Sequence, residues 1–131
     1  MKLTLIQPDI IWENKIKNME KLGELISTVP TDTDIIILPE MFNTGFSMNP
    51  AELAESPHSV TFDWMHDIAA KFNSGICGSY IVKENSNFYN RWIFVSPDDE
   101  TWNYNKRHLF SPGDEDKMFT RGNERIVFKF R

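Results

Sequence analysis

The stretch Ile35-Ile-Ile-Leu-Pro-Glu-Met-Phe42 decides the fold class. Its opening apolar residues are too few for a helix, and three of them are β-branched. They predict a strand buried on both faces, the pattern of a parallel sheet covered by helices. Pro39 fixes the direction in which the chain leaves the strand, so Glu40 falls at the strand's carboxyl edge, where open α/β sheets place their ligand crevices. Beside Met41, Phe42 and Phe46 that carboxylate is expected to be partly desolvated and suited to general-base work. A loop residue or a helix cap is the plainer account of such a glutamate taken alone.

Towards the amino terminus, Trp12, Ile16, Met19, Leu22, Ile26 and Val29 step by three or four and predict one buried helical stripe that ends before Pro30. Lys2 to Gln7 precedes it as a strand, which completes a βαβ unit. Towards the carboxyl terminus, Phe62, Met65, Ala69 and Phe72 predict a second helix, with Ser59 and Thr61 as candidate caps, leading into a strand at Gly75 to Val82. Phe88 to Val95 and Thr101 to Lys106 then predict an antiparallel meander joined by tight turns, and the alternation from Ile126 to Phe130 a last strand. Six strands and two helices result, too few helices to cover both faces of a sheet, so one face is expected to need a partner layer.

Composition excludes several functions. The chain has 131 residues, 40% hydrophobic and 25% charged, as one globular domain requires, and a formal net charge of −5. The scattered basic residues and negative balance argue against nucleic acid and anionic membranes. No apolar run approaches a bilayer span, and no signal peptide precedes the first strand, so a cytoplasmic protein is expected. The single cysteine, Cys77, excludes an internal disulfide and cysteine-based metal clusters. Its small neighbours in Gly75-Ile-Cys-Gly-Ser-Tyr80 predict an inert buried thiol. His58, His66 and His108 show no metal-ligand spacing, so no metal or other cofactor is expected; His108 is expected to hydrogen-bond beside Lys106.

In Asn103-Tyr-Asn-Lys-Arg-His-Leu-Phe110, strand alternation sets Lys106 and His108 on one face and Arg107 on the other. An ammonium facing a carboxylate in a dry cleft stabilises an oxyanion; at an exposed strand end it is only a solvated charge. Arg91 and Arg107 read either as a carboxylate clamp or as structural ion pairs.

Leu38-Pro-Glu-Met-Phe-Asn-Thr-Gly-Phe-Ser47, Tyr89-Asn-Arg-Trp-Ile-Phe-Val-Ser-Pro97, Tyr104-Asn-Lys-Arg-His-Leu-Phe110, and Gly113-Asp-Glu115 with Thr120-Arg-Gly-Asn-Glu124 resemble, in order and spacing, the successive blocks of nitrilase-superfamily amidases. The likeness spans the chain and is greatest to the ω-amidase branch, which hydrolyses the terminal amide of 2-oxoglutaramate or 2-oxosuccinamate. It implies an α/β fold, the amino-terminal half of an αββα sandwich, with residues 1–131 forming one portion of a single domain that stops before the nucleophilic cysteine. It implies Glu40 as general base, Lys106 as oxyanion-stabilising lysine and Glu115 as a second glutamate, with Asp114 or Asp116 one alignment shift away. Phe42 and Phe46 become candidate pocket walls for a small-molecule amide, Asn43, Thr44 and Gly45 candidate neighbours of the substrate, and a homo-oligomer is expected by analogy. The alternative is an inactive half-domain serving as an interaction module, or an amidase for another linear amide or carbamoyl substrate.

Overall fold

A computed structural model describes residues 1–131. A five-stranded sheet runs in the order β1 (Leu3–Leu5), β2 (Ile35–Ile37), β3 (Gly75–Glu84), β4 (Asn87–Val95), β5 (Thr101–Asn105). The first three strands are parallel, and β3 to β5 form the antiparallel meander. Helices α1 (Lys15–Ile26) and α3 (Val60–Phe72) are the two that periodicity predicts. Two single-turn helices, α2 (Pro50–Leu53) and α4 (Glu115–Met118), are themselves too short to show a period. No helix is long and apolar enough to cross a membrane.

The two long helices cover one face of the sheet. Leu22 and Ile26 of α1, with Met65, Ile68 and Ala69 of α3, pack against Ile36, Ile76, Tyr80, Val82, Ile93 and Val95 in the main core. At roughly 25 cal/mol per Å² of apolar area removed from water, this layer is the main source of stability. The predicted stripe of α1 is corrected at its start: Trp12 precedes the helix, and it and Ile16 are exposed, while Asn18 is buried in line with Leu22 and Ile26. Asn18 is tolerated there because its amide bonds Ile11 N, Ile11 O and Asn43 O, tying the helix to the loop after β2. Ser59 caps α3 by accepting from Phe62 N. Thr61 is instead buried, donating to Glu55.

The opposite face carries Cys77, Ser79 and Ile81, paired with Phe94, Trp92 and Asn90, and then Trp102 and Tyr104. The predicted sixth strand is absent. Residues from Ile126 to Phe130 do alternate between partly buried and exposed, and Phe128 stacks on Trp102 with centroids 4.5 Å apart. They lie across the sheet face with no neighbouring strand to bond, and a strand is defined by its ladder. The chain thus builds one helical layer and one sheet, with an extended segment over the sheet's second face.

Candidate active site

The turn that presents Glu40 is held from β3. Leu38 N donates to Cys77 O at 2.7 Å, Met41 N to Ser79 Oγ at 2.9 Å and Phe42 N to Ser79 O at 3.0 Å. Met41 pays for this turn with a φ of 47°, a left-handed conformation costly for a side chain with a Cβ and sustained here by complete burial. Glycine is required at position 78 of the adjacent strand, since a Cβ there would lie 2.8 Å from both Leu38 Cβ and the Phe42 ring.

Lys106 follows directly after β5. Its N donates to Asn90 O at 2.9 Å, and its O accepts from Gly122 N at 3.0 Å. Gly122 crosses so closely that a Cβ would sit 2.1 Å from Asn105 O. Glu115 opens α4, behind Asp114 at a φ of 60°.

These three segments bring the predicted residues together. Lys106 Nζ donates to Glu40 Oε1 at 2.7 Å and to Glu115 Oε2 at 2.9 Å. Asn90 Nδ2, from β4, donates to Glu40 Oε1 at 2.7 Å and to Glu115 Oε1 at 2.9 Å. Phe110 N adds a third donor to Glu115, at 2.6 Å. Of Asp114, Glu115 and Asp116, only Glu115 enters the cluster, and both aspartates are exposed.

The two carboxylates are electrostatically unequal. Glu115 is fully buried, and burial opposes its charge, but Asn90, the Phe110 N–H and Lys106 together outweigh that and hold it below the usual carboxylate range. Burial likewise works against charge on Lys106, and hydrogen bonds to Glu40 and Glu115 overcome it and raise its pKa. Glu40 is less desolvated than predicted, its side chain remaining 48% exposed. Both of its donors meet Oε1, which leaves Oε2 unpaired. With one ammonium between two carboxylates the cluster has an excess negative charge, and Oε2 of Glu40 is the carboxylate oxygen left without a donor.

Several expectations are corrected around this centre. Phe42 is fully buried against Tyr80 and Trp64, so it supports the floor of the turn and does not wall a pocket. Phe46 does border the site, with Lys106 Nζ 5.2 Å from its ring and Phe110 edge-on at 6.3 Å. Asn43 and Thr44 are buried within the turn, where Asn43 bonds Glu55 and Thr61. His108 is exposed, because the chain leaves strand geometry at Lys106 and alternation no longer applies. Arg91 is spent on Glu84 and Asn105 as a structural pair. Cys77 is buried, and burial pushes its thiol up to about 11, which keeps it protonated at neutral pH. Sequence reading missed Asn90. Its one signal is an amide between the aromatic pair Phe88-Tyr89 and the Arg91-Trp-Ile-Phe-Val95 run of β4.

A glutamate beyond the carboxyl edge of parallel strand β2 thus meets a lysine just after β5 and a buried second glutamate. The family model described as carbon-nitrogen hydrolase matches residues 2–131, and the chain belongs to that family. It is similar to the ω-amidase YafV of Yersinia enterocolitica, 35% identical over the whole of this chain and 50% of that protein. It also resembles the 2-oxoglutaramate amidase of Bacillus subtilis, 30% identical over 98% of this chain and 52% of that one. Among solved structures, a CN-hydrolase superfamily protein of Xanthomonas campestris, with an arsenic adduct in its active site, superposes with a TM-score of 0.94 at 30% identity, covering 98% of this chain and 49% of that one. The chain spans about half the length of the curated relatives it matches.

Proposed function

We propose that this chain supplies the base and the oxyanion partner of an ω-amidase, which releases ammonia from the terminal amide of 2-oxo acid amides, and that the nucleophilic thiol comes from residues outside these 131. The supporting observation is the convergence of Glu40, Lys106 and Glu115 within hydrogen-bond distance, with one oxygen of Glu40 unpaired. Glu40 takes the thiol proton, and the thiolate attacks the amide carbon. Lys106 stabilises the tetrahedral oxyanion; Glu40 returns the proton to the departing ammonia, then removes one from the water that hydrolyses the thioester. Glu115, ionised and fully bonded, keeps Lys106 charged and placed. Phe46 and Phe110 form an apolar rim beside the lysine.

The test is ammonia release by the complete protein from 2-oxoglutaramate and 2-oxosuccinamate, compared with nitriles, carbamoyl compounds and acylated amino acids. Preference for the 2-oxo acid amides, abolished by Glu40→Gln, supports the reading. Preference for any of the others overturns the substrate assignment.

A further inference from the structure

We infer that Asn90 is a positioning residue that sets Glu40 as the base, an inference resting on the amidase reading of the same cluster. Asn90 is 2% exposed on a strand whose neighbours are mostly apolar, a place where an amide is costly unless its hydrogen bonds are made. Both Nδ2 hydrogens go to carboxylates, one to Glu40 and one to Glu115, residues 50 and 25 positions away in the chain. Turning the amide over would set its oxygen against both carboxylates, so the orientation is fixed by charge. The carbonyl of the same residue accepts Lys106 N, so Asn90 touches every charged member of the cluster.

A neutral double donor is what this position demands. Two carboxylates sharing one ammonium repel each other, and each Asn90 N–H relieves that repulsion without titrating and without cancelling the excess negative charge. A lysine or arginine here would cancel the cluster's one excess negative charge. An aspartate would add a third carboxylate. By filling Oε1 of Glu40 alongside Lys106, Asn90 also fixes the carboxylate's rotation and leaves Oε2 as the acceptor atom.

The experiment has two arms. In the complete protein, Asn90→Asp preserves shape while deleting both donors and adding a third carboxylate to the cluster. Its kcat is expected to fall about 100-fold at pH 7.5, the scale of one lost preorganised donor in a charged site, with KM changed less than about threefold. Asn90→Ala is expected to fall about 10-fold, and in both variants the acid limb of kcat moves to higher pH. Loss of activity only in proportion to lost folded protein, with the acid limb unmoved, overturns the proposal. In the complete protein without substitution, the Asn90 side-chain amide resonances are expected to shift as Glu115 titrates, and resonances that ignore that titration overturn it too. The second arm requires no catalysis and no variant. A complete protein that releases no ammonia therefore defeats the amidase reading, while the amide resonances separately decide the clamp.

Discussion

Glu115 Oε2 lies 2.9 Å from Lys106 Nζ, and the carboxylate is completely buried while the ammonium is 26% exposed. The pair is thus a buried anion anchored to a cation at the site's edge. Breaking such a pair from one side leaves an unpaired buried charge, which costs more than the intact pair contributes.

Lys106→Met should therefore destabilise the chain by roughly 3 kcal/mol, chiefly through Glu115 left without its ammonium. Lys106→Met combined with Glu115→Gln should recover part of that loss. Urea denaturation of both single variants and the double variant measures the coupling.

The pH dependence of stability has a definite sign. The Glu115 pKa is depressed by folding, so its contribution is present above the ordinary value of 4.5 and disappears as pH falls through the lower folded value. The Lys106 pKa is raised, so its contribution is complete below 10.5 and is lost as pH rises through the higher folded value. Denaturation midpoints should fall below about pH 4.5, and Glu115→Gln should flatten that acid limb and, by removing one of the two carboxylates that raise Lys106, weaken the alkaline one as well.

Cys77 should alkylate slowly. A thiol pushed from 9.0 to about 11 holds about 100-fold less thiolate at pH 8, and burial restricts access further. Iodoacetamide labelling followed by mass is expected to be at least that much slower in the folded chain than in urea.

Phe42 and Phe46 should separate stability from substrate contact. Phe42→Ala empties a fully buried site and is expected to cost about 3–5 kcal/mol. Phe46→Ala, at a partly buried residue beside Lys106, should cost less stability and show itself as a changed KM in the complete protein.

Gly122→Ala should be among the most damaging single-methyl changes. The added Cβ would meet a backbone oxygen at 2.1 Å, and backbone cannot rotate away as a side chain can. A loss of about 3 kcal/mol or more is expected from thermal denaturation, with the Lys106 backbone displaced because Gly122 N bonds its carbonyl.

Much of the fold was legible because burial repeats with the geometry of each element. Leu22 and Ile26 follow the helical period, and the isoleucines of β2 are continuous because a central parallel strand is apolar on both faces. The same reasoning failed where a residue's fate depends on a distant neighbour. Ile16 fits the stripe but finds no layer to cover it, and Asn18 breaks the stripe but finds three hydrogen-bonding groups. Ile126 to Phe130 has the alternation of a strand without a strand to pair with.

The sequence by itself determined the βαβ start, the antiparallel continuation and the location of Glu40 at a strand's end, because local apolar periodicity and Pro39 are enough for these. With the ordered blocks, it also marked Lys106 and Glu115. Only the tertiary structure decided that Asn90 joins them, that Glu115 and neither adjacent aspartate enters the cluster, and that Phe42 lies beneath the site. Charge and burial belong to neighbours in space. Glu40 and Glu115, 75 positions apart, acquire opposite characters only when the fold buries one and leaves the other half open.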